Sequence, residues 1–202
     1  MRFKFAFAAL FLAAAAQVFS QVSPSAIESG SQLFVGGGIS SYDDNFFEDH
    51  FMEGATVWAD LYPNRGPALL HGLGIEAEAR DISIGRSSIA PSNLREDTGG
   101  GGAIYRWMHY QNFVPYGKFQ WEHASIDFHY TGYGHDTRDL YAAGAGFDYR
   151  IRHNLWLRVG GEEQVWQRLF QNHAVSTATG IVLKPRGGTV GVSYAFNHLH
   201  LH

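Results

Sequence analysis

Beyond residue 20, apolar side chains recur at every second position in eight separate stretches, a period that belongs to β-strands rather than helices. The stretches are 32–42, 54–62, 69–80, 101–110, 116–130, 139–150, 155–169 and 188–196. In the third, Leu73, Ile75, Ala77 and Ala79 share one face, and Gly72, Gly74, Glu76, Glu78 and Arg80 share the other. The second sets Ala55, Val57, Ala59 and Leu61 opposite Trp58 and Asp60. In the sixth, Tyr141, Ala143, Ala145, Phe147 and Tyr149 oppose Gly144, Gly146, Asp148 and Arg150. In the seventh, Leu155, Leu157, Val159 and Val165 oppose Arg158, Glu162 and Gln164. The last has Val190, Val192, Tyr194 and Phe196 against Thr189, Gly191, Ser193 and Ala195. Each strand has one apolar face and one face of small, polar or charged residues.

The connections add a direction. Those at 43–53, 81–100, 131–138 and 170–187 are long or polar, whereas those at 63–68, 111–115 and 151–154 are shorter. Long loops at one rim and short turns at the other are expected of an outer-membrane barrel. A soluble sandwich has no reason to keep that alternation. In a bilayer every backbone polar group must be paired, so eight such strands must close on themselves. The expected fold is all-β: an eight-stranded antiparallel up-and-down transmembrane β-barrel. Aromatics at strand ends (Tyr42, Tyr62, Tyr110, Tyr116, Tyr130, Tyr141, Tyr149, Trp156 and Phe196) then suit the two lipid interfaces.

The first 20 residues point to the same compartment. Arg2 and Lys4 precede an apolar run from Phe5 to Ala16, and Val18 and Ser20 suit cleavage before Gln21. That run is shorter than the roughly 20 residues of a spanning helix. Residues 1–20 are therefore read as a signal peptide and 21–202 as the barrel domain. Removing Arg2 and Lys4 from the 15 basic side chains leaves 13 against 19 acidic ones, a net charge of −6. That balance, with no basic run, excludes a nucleic-acid binder. The absence of cysteine excludes disulfides, thiol chemistry and Cys-ligated metals. Mean hydropathy is only −0.18, as expected when half of each strand faces lipid and half a polar interior.

The inward face is expected to carry Asp60, Glu76, Glu78, Glu122, Asp148 and Glu162 against Arg80, Arg106, Lys118, Arg150 and Arg158. A barrel of eight strands is about filled by its own side chains. Near-balanced charge inside reads as an ion-pair network, with glycines such as Gly74, Gly146 and Gly160 making room for it. Candidates for chemistry are few. His123 and Ser125 are two apart on an outward strand face and form a possible base–nucleophile pair. Gly99–Gly102 has no Lys-Ser/Thr after it and reads as a flexible start to strand four, not a phosphate loop. Asp43, Asp44, Glu48 and Asp49 make the first loop acidic, and His198, His200 and His202 alternate in the tail. Such a loop can make loose calcium or lipopolysaccharide-cation contact and such a tail can bind a transition metal weakly, but a solvated loop and a solubilising tail are the simpler readings.

Three passages carry a resemblance: Ala143-Gly144-Ala145-Gly146-Phe147-Asp148-Tyr149-Arg150, Leu155-Trp156-Leu157-Arg158-Val159, and Gly191-Val192-Ser193-Tyr194-Ala195-Phe196. Their order and spacing are similar to the small outer-membrane β-barrel family of opacity-type proteins and OmpA-like membrane domains. The chain departs from that pattern in the six residues after Phe196, the aromatic that resembles the signal read by the assembly machinery. The resemblance implies location in the cell outer membrane, and partners in outer-membrane lipids, lipopolysaccharide and the assembly machinery. It implies a monomer with no cofactor, metal or catalytic residue, and a structural, envelope-integrity or surface-interaction role. The alternatives are a narrow porin-like channel, a soluble periplasmic barrel for an apolar ligand, and a hydrolase using His123 and Ser125. The last resembles lipid A deacylases, but lacks the Asn-Ala that follows their serine; here the residues are Ile126-Asp127.

Overall fold

The computed structural model describes residues 31–43, 51–63, 70–84, 94–107, 112–130, 133–169 and 181–199. The expected signal peptide and its cleavage point lie outside them. In chain order the strands are β1 (Ser31–Asp43), β2 (Phe51–Tyr62), β3 (Leu73–Ser83), β4 (Arg95–Arg106), β5 (Phe113–Tyr130), β6 (Tyr133–Arg150), β7 (Leu155–Leu169), β8 (Ile181–Leu183) and β9 (Arg186–Leu199). Strands β1 to β7 each pair antiparallel with the next, and β9 pairs with both β7 and β1. The wall is a closed antiparallel ring of eight strands, with chain order as ring order. The short β8 pairs with β7 at Trp166 and Leu169 and leads into β9.

Side-chain direction follows the alternation. Leu73 and Ile75 are 41% and 62% exposed on the outer wall, while Glu76, Glu78 and Arg80 are buried inside. A soluble ligand-binding barrel would have the opposite arrangement. The outer wall is apolar over Val57, Ile75, Phe119, Tyr141, Val190 and Val192, all exposed. Lysine in place of Ile75 should therefore cost about 2–4 kcal/mol in unfolding from phospholipid vesicles, the price of a charge at mid-bilayer. The same substitution at outward Asp139 should change little. Equal costs at the two positions would contradict the placement of lipid.

The strands run further than their apolar stripes. In β3 the outward series ends at Ala79 and continues as Asp81 and Ser83, while the inward series turns from Glu78 and Arg80 to buried Ile82. In β5, outward Phe119 and Trp121 give way to His123 and Ser125, and inward Gln120 and Glu122 give way to buried Ala124 and Ile126. Inside and outside exchange polarity. Only apolar wall can face lipid, so the bilayer ends near Ala79 and Trp121. Above that level the strands form a collar in water with a core of ordinary soluble type, including Met52, Ile82, Leu94, Ile126, Leu140 and Trp166.

This reversal corrects several expectations. The stretch 131–138 is not a long loop: β5 and β6 form one hairpin, paired up to Tyr130 and Tyr133. Strand β4 begins at Arg95 and ends at Arg106, so it lies six residues earlier than the expected start at 101. Gly99–Gly102 is consequently mid-strand rather than a flexible start. Tyr42, Tyr62 and Tyr116 are buried inside, and Trp156 packs against the inner cluster rather than against lipid. Tyr141 and Tyr149 do face outward, as does Phe196, whose ring lies 4.7 Å from that of Tyr194. Asp43 ends β1, whereas Asp44, Glu48 and Asp49 lie outside the described residues, as do the side chains of the three tail histidines.

Candidate functional site

The interior is layered. Nearest the rim of the short turns, Phe34, Tyr62, Ile104, Tyr116 and Ala195 pack together, with Trp156 against them. Phe34 meets Tyr62 and Trp156 edge to face at 5.6 and 6.0 Å. The Arg106 guanidinium lies over this cluster, 4.2 Å from the Phe34 ring and 5.0 Å from Trp156. An arginine among aromatic faces keeps much of the stabilisation that water would have given it.

Ion pairs occupy the middle. Inward positions two apart on each strand stack carboxylates and cations at successive heights, and the strand register brings four strands together at one height. Arg158 on β7 donates to Asp148 on β6 (2.9 Å), Asp60 on β2 (2.5 Å) and Glu76 on β3 (2.7 Å). Arg106 on β4 pairs with Asp148 at 2.7 Å. Above them, Lys118 on β5 contacts Glu78 at 2.5 Å, Glu162 at 2.8 Å and Glu76 at 3.2 Å. Arg80 pairs with Glu78 and, at 2.9 Å, with Glu162. The Arg80 guanidinium also stands 4.4 Å from the Tyr42 ring, and Arg158 lies 4.8 Å from that of Tyr116. A cavity of about 10 Å³ beside Glu78, Lys118 and Glu162 has room for one water molecule. Among the described residues, this ionic layer lies between the aromatic cluster at the short-turn rim and the apolar core of the collar.

Most expected interior charges occupy this network. Arg150 does not: it sits half-buried at the short-turn rim, 3.1 Å from His153 Nδ1. Two buried acidic residues were missed, Asp136 on β6 and Glu96. Glu96 is buried at 1% exposure on the inward face of β4. The run Arg95-Glu96-Asp97-Thr98 has the polarity of a loop, yet Glu96 shares parity with Gly100, Ile104 and Arg106, and extending the strand backwards would have found it. Glu96 faces the Gln164 amide, and among the described residues the Glu122 carboxylate has no hydrogen-bond donor. Lower in the network, Arg106 Nε and the Gln120 side-chain oxygen are likewise without hydrogen-bond partners among the described residues.

On the outer wall His123 and Ser125 have different partners. His123 Nδ1 contacts Asp139 at 2.8 Å, and Ser125 Oγ contacts His135 Nε2 at 2.7 Å. Both contacts are exposed and cross from β5 to β6, so each residue has its own partner on the neighbouring strand. Around them, Arg95 bridges Asp81 and Asp97 at 2.5 and 2.8 Å, and Arg186 pairs with Glu163 at 3.1 Å. Exposed pairs of this kind add little stability. They give the collar a hydrated, mixed-charge surface.

A closed ring of eight strands, lipid-facing outside and ionic inside, defines a transmembrane β-barrel of the outer-membrane type. A model of the outer membrane protein beta-barrel domain matches residues 5–196, and the chain belongs to that family. It is therefore a protein of the cell outer membrane. Its fold is shared with Neisserial surface protein A, at 14% identity and a TM-score of 0.57 over 83% of this chain and 98% of that one. It is similarly shared with Ail, the attachment invasion locus protein of Yersinia pestis, at 15% identity and 0.52 over 84% and 100%. A third is OprG of Pseudomonas aeruginosa, at 10% identity and 0.53 over 85% and 98%. No curated protein matches the chain in sequence.

Proposed function

We propose that this protein is a non-conducting barrel with a structural and surface-contact role, in which the collar meets the polar outer layer of the membrane. The observation that supports this reading is the blocked interior: an ionic layer held between an aromatic layer and an apolar collar core. Ions crossing it would have to displace Arg158 or Arg80 from several carboxylates and then pass buried Trp166 and Leu140, which are 0% exposed. The mixed-charge collar suits head groups and sugars more than a transported solute. Ail, which shares the fold, has been crystallised with the heparin analogue sucrose octasulfate. For this chain, lipopolysaccharide is the corresponding anionic, sugar-bearing partner.

Two measurements test the reading together. The full chain reconstituted in planar bilayers should give no steady conductance, and vesicles containing it should retain small solutes. Vesicles that include lipopolysaccharide should protect the collar from protease more than phospholipid vesicles do. Large steady channels would support the porin alternative instead, and equal protection in both vesicles would remove the surface-contact part.

A further inference from the structure

The upper half of the ionic layer does not balance. Four buried carboxylates, Glu78, Glu96, Glu122 and Glu162, share it with two cations, Arg80 and Lys118. Both cations are already committed to Glu78 and Glu162, each touching both. Glu96 and Glu122 are each 1% exposed; Glu96 faces the Gln164 amide, whereas among the described residues neither carboxylate oxygen of Glu122 has a donor. Both stand where the ionic layer meets the collar core: Glu122 is in register with Leu140, and Glu96 with Ile82 and Ile126. Two unmatched negative charges in such a place would cost far more than the fold can spare.

The placement of the unpaired group is specific. Glu122 offers a carboxylate oxygen that lies, with one each from Glu78 and Glu162, in a set all within 4.8 Å of one another. Oxygens on opposite sides of a calcium ion, each at about 2.3–2.6 Å, are separated by roughly that distance. All donors are carboxylate oxygens, the chemistry of a hard cation rather than of zinc or copper. Magnesium keeps several waters, whereas the cavity of about 10 Å³ that Glu78 and Glu162 line together with Lys118 and Arg158 admits one. One divalent ion also cancels the two unmatched charges.

We propose that Glu78, Glu122 and Glu162 hold one divalent cation, calcium by preference, inside the barrel wall, with Glu96 as a nearby carboxylate that strengthens the local negative field. The ion joins β3, β5 and β7 across the interior and becomes enclosed as the barrel closes. It acts as an internal staple, and this role is independent of whether the collar binds lipopolysaccharide.

The test uses the full chain, folded into detergent micelles in calcium or in EDTA and then dialysed free of loose metal. Elemental analysis should find one calcium per chain in the first preparation and none in the second. The calcium-loaded form should unfold at a higher urea concentration. Glu122→Gln should lose the bound calcium and the difference between the two preparations, yet still migrate on gels as a folded, heat-modifiable barrel. Glu163→Gln, on the outer wall, should keep both, which separates the interior site from loose surface binding. Wild-type protein without retained calcium, or with the same urea midpoint in both preparations, would overturn the proposal. So would a protonated-carboxyl infrared band that persists in calcium and disappears in Glu122→Gln, because Glu122 would then be neutralised by a proton.

Discussion

Methionine in place of Arg158 should lower the stability of the folded barrel by about 3–5 kcal/mol, the cost of removing one partner from a buried ionic group. Arg158 is 4% exposed and neutralises parts of Asp148, Asp60 and Glu76, which come from three different strands. Methionine fills a similar volume but supplies neither charge nor donors. Of the three carboxylates, Asp148 keeps Arg106 and Glu76 keeps Lys118. Asp60 is left with Tyr62, whose hydroxyl lies 3.4 Å away. Urea unfolding in detergent, followed by tryptophan fluorescence and by heat-modifiable gel migration, measures the loss. Arg186→Met is the matched control, because its pair with Glu163 is exposed and worth about 0–1 kcal/mol. If the two variants unfolded alike, the interior would be hydrated rather than closed. Changing Asp60 to Asn in the Arg158→Met background should recover part of the loss, since the variant then buries one charge fewer.

The same contrast shows how much of the molecule could be read from its residues. Alternation at Leu73–Arg80 and Leu155–Gln164 suffices for eight strands, their order and the inward charges, because lipid outside and ions inside each demand one parity. The limits of the strands were harder to see. Above Ala79 and Trp121 the wall leaves lipid, the outward residues become Asp81 and His123, and a period-two apolar signal changes face. A reading that follows one apolar face ends there, although β3, β5 and β6 continue. This is why Glu96 was placed in a loop and the β5–β6 hairpin in a long connection. The inward tyrosines were misplaced for a related reason: an aromatic at a strand end suits a lipid interface or an interior layer equally well. Parity separates them, since Tyr62 and Tyr116 share faces with Asp60 and Lys118. Pairing across the barrel, as between Arg158 and Asp60, depends on ring closure and on register, which no single strand carries.

The four glycines in β4 give the sharpest case of a local pattern with a non-local cause. Gly99→Ala should fold normally, whereas Gly102→Ala should fail to form a heat-modifiable barrel. A β-carbon on Gly99 would point outward and meet nothing closer than the Glu78 carbonyl oxygen at 4.0 Å. On Gly102 it would point inward, into the carbonyl oxygen of Phe119 and to 2.6 Å from the Gln120 α-carbon. Those atoms belong to the backbone of β5, which cannot rotate aside as a side chain would. Relief requires moving a strand that is paired on both sides, with β4 through Gly102↔Gln120 and with β6 through Gln120↔Ala142. The cost should therefore exceed the roughly 1–3 kcal/mol of ordinary overpacking in a core. Gly100→Ala should behave like Gly102→Ala, because its β-carbon would meet the Trp121 carbonyl oxygen and lie 2.5 Å from the Glu122 α-carbon. Folding of both inward variants would mean that β4 and β5 can separate, and the tight curvature that brings the charged layer together would need another source. Failure of the inward pair alone would locate that curvature at the β4–β5 seam, immediately beside Glu122.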